Sequence, residues 1–229
     1  MAKKAQEYYT ARLFKYLRQL AANNNREWFA EHRPEFDDLR TQWLDDLQRL
    51  INAMGASDPR LLGISPRKAA FRIYRDTRFS LDKTPYKTYF SAQLTPGGGN
   101  VHSAGYYIHM SADADAGLYG GIWQPESAVL KKLRKAIVDN IEEFEEIISN
   151  PQMLRYFPEW TGQQLKTVPK GYDRNHPQAH LLRLKDIGRF DATGPDFFLD
   201  PAWPEKAAER LLLLRPLLDF LDYSISEEI

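Results

Sequence analysis

Gly105-Tyr106-Tyr107-Ile108-His109-Met110-Ser111 and Gly117-Leu118-Tyr119-Gly120-Gly121-Ile122-Trp123 are two runs rich in aromatic and β-branched residues, separated only by a short stretch carrying Asp113 and Asp115. Each run has strand length and is bounded by turn-forming residues. Strands joined by so short a turn pair antiparallel, because a parallel crossover needs a dozen residues or more. That excludes a parallel, doubly wound sheet at the centre of the chain. Gly120-Gly121 inside the second run predicts a bulge or a close backbone approach.

Working outward, 86–95 and 69–76 read as two earlier strands, with Pro96-Gly97-Gly98-Gly99-Asn100 as a loop after the former. Upstream the period changes. Leu13, Phe14, Leu17 and Leu20 recur at helical spacing. Asn23-Asn24-Asn25 breaks that helix and caps the next, which Trp28, Phe29, Phe36, Leu39, Trp43, Leu47, Leu50 and Ile51 continue, restarting or kinking at Pro34. Downstream, Pro125 opens a helix carrying Leu130, Leu133 and Ile137, and Asn140 with Glu143 has capping-box spacing. Pro177 opens another helix, 190–199 holds one more strand, and 203–223 is a final helix stepped at Pro216. The fold class expected is α+β: an antiparallel sheet of about four to five strands packed by N-terminal and C-terminal helices. No Pro/Gly/Ser-rich linker divides residues 1–229, so a single domain is expected.

The composition removes several chemistries. The 229 residues are 43% hydrophobic, enough for a core, and contain no cysteine. Disulfides, thiolate metal ligands and cysteine nucleophiles are therefore excluded. Charges at Glu7, Arg12, Lys15 and Arg18 leave no apolar segment for a signal peptide. Residues 211–221, the most apolar stretch, are interrupted by Arg215, Pro216 and Asp219. A cytoplasmic protein without a membrane partner is the expectation.

Lys plus Arg and Asp plus Glu each number 31, so the formal net charge is zero. A globally basic nucleic-acid binder is disfavoured. The charge is nevertheless segregated. Residues 60–87 carry formal +6, 166–189 carry +4, and 139–146 hold five acids and no base. The densest stretch is Arg72-Ile73-Tyr74-Arg75-Asp76-Thr77-Arg78-Phe79-Ser80-Leu81-Asp82-Lys83-Thr84-Pro85-Tyr86-Lys87. Guanidinium groups hold a carboxylate or phosphate through paired N–H donors, and lysines add point charge. Arg72, Arg75, Arg78, Lys83 and Lys87, with Lys170, are the candidate anion-binding residues. Tyr74, Tyr86 and His109 are candidates to orient the ligand. Asp76 is the best candidate acid or base, no catalytic residue being assigned, and flanking arginines would hold it ionised.

At these residues the chain resembles a bacterial and fungal family known as domain of unknown function twenty-four sixty-one. The resemblance rests on Asn24-Asn25-Arg26-Glu27-Trp28-Phe29, on 72–87, on Gly105-Tyr106-Tyr107, on Gly120-Gly121-Ile122-Trp123-Gln124-Pro125, and on 165–177. It spans nearly the whole chain and implies a single α+β cytoplasmic domain. It carries no activity over. Leu81 stands where the family pattern calls for a lysine or another polar residue.

Other constellations are weaker. His176 and His180 have helical spacing, but no neighbouring Glu or third ligand accompanies them, so no metal site and no cofactor are expected. Ser80 lacks a nucleophile elbow, and Gly97-Gly98-Gly99 lacks the Lys-Ser/Thr of a phosphate loop. Three readings remain. A small anionic ligand, phosphorylated or carboxylate, binds the basic loop, with or without turnover. Alternatively, Arg75, Arg78, Asp76 and Asp82 form a structural salt-bridge network in a protein-interaction domain. Last in order, the same residues form a nucleic-acid binding module.

Overall fold

The computed structural model describes residues 8–98 and 103–226. Gly99, Asn100 and His102 lie outside the described residues. Three helices open the chain: α1 (Tyr9–Ala22), α2 (Arg26–Glu31) and α3 (Arg33–Gly55), followed by the short α4 (Pro66–Ala69). Strands β1 (Tyr89–Leu94), β2 (Gly105–Ser111) and β3 (Gly117–Ile122) come next. Then follow α5 (Ser127–Asp139), α6 (Ile141–Ile148), α7 (Pro151–Tyr156), α8 (Ala179–Leu182), β4 (Ile187–Asp191), α9 (Trp203–Leu212) and α10 (Arg215–Ser226). The strands form one antiparallel sheet in the order β1-β2-β3-β4. The fold is thus α+β, with helices at both ends of the chain. Among the described residues no helix is long and apolar enough to cross a membrane.

The chain gathers into two compact units. The first takes residues 8–93, 107–118 and 192–208. Its core is the apolar stripe of α1 (Leu13, Phe14, Leu17, Leu20) and that of α3 (Phe36, Leu39, Trp43, Leu47, Leu50, Ile51), all buried. Asn25 caps α2 by accepting the Trp28 N–H at 2.9 Å. Pro34 falls in the first turn of α3, where its missing N–H costs nothing, so the helix restarts there. Asn24 behaves as a piece of backbone: its amide donates to the Tyr86 carbonyl at 2.9 Å and accepts the Tyr86 N–H at 3.0 Å. Phe29 stacks on Tyr86 with ring centroids 4.1 Å apart. Asp46, 3% exposed, accepts from the Tyr8 hydroxyl at 2.7 Å, the Trp203 indole at 2.8 Å and Arg49 at 2.9 Å. A buried carboxylate needs that many donors to offset its lost hydration.

Residues 69–76 differ from the expected strand. They pair with the following ribbon as two isolated bridges, Ala70 to Ala92 and Tyr74 to Tyr86, rather than as a continuous ladder. Pro85 has no N–H to give a ladder, and Phe71 and Arg72 are both exposed, so alternation fails.

The second unit takes residues 94–98, 103–106, 119–191 and 209–226. Phe144 packs between Phe220 (5.0 Å) and Trp160 (6.2 Å). Arg189 is buried, lies 4.2 Å from the Trp160 ring centroid and donates to the Phe157 and Pro158 carbonyls. Burial pulls its pKa down to about 10. Gly121 has φ +144, and a Cβ there would run into the Gly188 backbone, which is the close approach expected at this glycine pair. The strand expected within 190–199 lies earlier, as β4, and Pro195–Leu199 is a 3-10 turn. Asn140 caps no N–H of α6, its side-chain amide turning back to the Ala136 carbonyl at 3.1 Å.

Candidate functional site

The basic loop spends much of its charge on itself. Arg75 donates through Nη1 to the Asp82 carboxylate and to the Thr84 hydroxyl, and its Nη1 also lies 3.3 Å from the Thr84 carbonyl. Arg78 forks onto Asp76, Nε at 3.0 Å and Nη2 at 2.7 Å. Lys83 donates to the Thr77 carbonyl at 2.9 Å. The arginine hydrogen bond holds the Asp76 carboxyl down at about 2, and the Thr84 N–H and Arg75 do the same for Asp82. An acid that far below neutral pH is a weak base, so Asp76 works here as the clamp for Arg78. The braced loop lifts Phe79 (94% exposed) and Leu81 into solvent.

A second group of cations is not spent. Arg40, Arg72 and Lys87 line one small, shallow cleft, open to solvent, with Phe36, Trp43, Phe71, Tyr89, Phe90 and Ser91 among its walls. Among the described residues the side chains of all three make no ion pair and no hydrogen bond. Lys87 is half-buried. Its Nζ lies 5.1 Å from the Phe71 ring centroid and 5.9 Å from that of Tyr89, and its backbone N–H is tied to the Ile73 carbonyl at 2.8 Å. Burial, helped by Arg72, lowers its pKa. Arg72 opposes the Lys87 charge and also favours the Asp76 carboxylate.

The remaining candidates divide. Tyr86 is buried as a core ring, whereas Tyr74 is exposed and meets Phe29 edge-on at 6.3 Å. His109 sits with Tyr89 (centroids 4.3 Å apart) and takes the Tyr107 hydroxyl against Nδ1 at 3.3 Å. Its Nε2 lies 3.3 Å from the Asp115 carboxylate. Burial outweighs Asp115 and lowers the pKa. Lys170 belongs to the second unit, exposed on the loop before Tyr172. Among the described residues no group of three or more His, Asp or Glu side chains could hold a metal ion.

Sequence reasoning missed Arg40, Phe71 and Ser91. Arg40 had a readable signal: it lies four residues after Phe36 and three before Trp43, on the helix stripe that faces inward. A cation on an apolar stripe either finds a partner or lines a cavity. Phe71 and Ser91 come together through the Phe71 N–H to Ser91 carbonyl bond of 2.9 Å, which replaced an expected regular ladder.

No curated protein and no solved structure matches this chain. Its residues 12–220 match the conserved hypothetical protein family DUF2461, taking in nearly all of the opening helices, the basic loop, the cleft and the first half of the last helix, and the chain belongs to that family.

Proposed function

We propose that this protein binds a small anionic molecule, phosphorylated or bearing a carboxylate, in the cleft of Arg40, Arg72 and Lys87. The observation that carries the reading is the meeting of Arg40, Arg72 and Lys87, whose side chains make no ion pair or hydrogen bond among the described residues, at one aromatic-walled cleft. Arg40 and Arg72 offer forked donors for the anion, while Phe71 and Tyr89 offer flat faces for what is attached to it. The internally paired Arg75, Arg78 and Lys83 shape the neighbouring loop and leave binding to the other three. The reading keeps the cytoplasmic location expected from the sequence.

The test is a thermal-shift screen with phosphate, nucleotides, small carboxylates and short DNA and RNA, each at two salt concentrations, on wild type and Arg72→Gln. A ligand at about 100 times its Kd stabilises by about 2.7 kcal/mol. Stabilisation of wild type by a small anion at both salts, lost in Arg72→Gln, is the expected result. A response to polynucleotides alone, vanishing at the higher salt, overturns it in favour of nucleic acid. Silence across the panel leaves the salt-bridged loop as scaffolding only.

A further inference from the structure

We propose that Lys87 is a nucleophilic amine that condenses with the carbonyl carbon of a small anionic oxo compound, a 2-oxo acid in the simplest case, whose carboxylate is held by Arg40 and Arg72. This rests on the anion-site reading above and adds a covalent step to it.

Lysines with structural roles in this chain have partners: Lys135 bonds Asp139 at 2.6 Å, Lys206 pairs with Asp200, and Lys83 donates to a carbonyl. Lys87 has none of these. It stands half-buried in the cleft, its backbone tied to the Ile73 carbonyl and its ammonium flanked by Phe71 and Tyr89. Desolvation and a neighbouring cation are the two means by which a protein frees a lysine amine to attack. Both are present, and the direction of the Lys87 pKa agrees.

The cleft also supplies what the second half of the substrate needs. A forked guanidinium holds a carboxylate and so fixes the adjacent carbonyl. In the step proposed, the amine lone pair forms the N–C bond and the carbonyl π pair moves onto oxygen. That oxygen takes a proton from the nitrogen, and loss of water leaves the imine. No oxidant or other co-reactant enters.

The experiment treats the full chain with glyoxylate or pyruvate in the presence of cyanoborohydride, which delivers hydride to the imine carbon and makes the adduct permanent. Intact mass and peptide mapping locate the adduct, with acetaldehyde as the uncharged control. Lys87→Arg and Arg72→Gln are run in parallel, and binding of unreactive acetate and phosphate is measured separately by calorimetry. The expected result is a single adduct at Lys87, ahead of exposed Lys68 and Lys83, lost in Lys87→Arg, reduced in Arg72→Gln and weak with acetaldehyde. If acetate or phosphate binds but label spreads evenly over the surface lysines, the nucleophile is overturned and the anion site stands. If neither binding nor selective labelling occurs, both fall. Mapping on wild type keeps the test decisive even where a variant folds poorly.

Discussion

Arg78 grips Asp76 through Nε and Nη2, at 3.0 and 2.7 Å, while the same carboxylate takes the Arg78 backbone N–H at 3.2 Å. A carboxylate held by three donors from one residue is locked in its ionised form. Its pKa falls from the ordinary 3.8 to about 2. A carboxyl depressed by folding adds stability above its unfolded value and loses it as the pH falls towards its folded one. The melting temperature of wild type should therefore exceed that of Asp76→Asn at pH 5 to 7. The gap should close between pH 3.8 and about 2. A pH-independent gap in thermal melts would assign the difference to something other than this charge.

Arg75 and Arg72 are three residues apart and should fail in opposite ways. Arg75→Ala removes the bonds to Asp82 and Thr84, so the free protein should melt earlier while keeping its response to the anion. Arg72→Gln removes a charge that opposes Lys87 and is the smallest of the influences on the Asp76 carboxylate, so the free protein should melt little earlier and should lose the response. Paired melts with and without phosphate or pyruvate read both effects. Identical behaviour of the two variants would merge the loop and the cleft into one system.

Gly121→Ala should be among the most damaging small substitutions. The added Cβ meets Gly188 and the Ile187 carbonyl, and φ +144 is closed to alanine besides. Overpacking and backbone strain each cost about 1–3 kcal/mol. Chemical denaturation should show a loss in that range or above, whereas Gly171→Ala, with open space around it, carries only the strain of its positive φ.

Trp203→Phe tests the buried carboxylate. The indole stacks on Trp43 at 5.8 Å and its N–H serves Asp46 at 2.8 Å, so phenylalanine keeps much of the apolar contact and deletes the donor. A buried acceptor robbed of a donor costs about 1–3 kcal/mol. The double change Trp203→Phe with Asp46→Asn should cost less than the sum of the two single changes, measured as a double-mutant cycle.

Phe79→Ser and Leu81→Ser should leave the denaturation midpoint within about 0.5 kcal/mol of wild type, as surface substitutions away from packed features do. The loop is held at its base by Arg75, Arg78 and Lys83. A larger loss would mean that the tip packs in solution.

Much of the fold could be read from residue spacing. The apolar rows of α1 and α3, the Asn25 cap and the short β2–β3 turn are local features, and local rules place them. The ribbon at 69–76 was not readable, because Pro85 spoils a ladder whose alternation looks sound from Phe71 to Asp76 when that run is read alone. The site divides the same way. Arg72 and Lys87 stood out by composition. The partners that occupy Arg75 and Arg78 depend on how the loop folds back, and Arg40 reaches the cleft from α3, far away in sequence. Lone-residue chemistry shows which groups are charged, but only tertiary pairing shows which charges are left over.

The two bonds between the Asn24 amide and the Tyr86 backbone bear on the order of folding events. Helices α1, α2 and α3 can form from local contacts alone, and quickly. Lys87 follows Tyr86 directly, so its arrival opposite Arg40 waits on a long chain closure that the Asn24 amide then latches. A collapsed chain with its helices formed and this latch open would look largely native by far-ultraviolet dichroism and bind nothing. On the anion-site reading proposed above, ligand response would then serve as the later clock of folding, and helical signal as the earlier one.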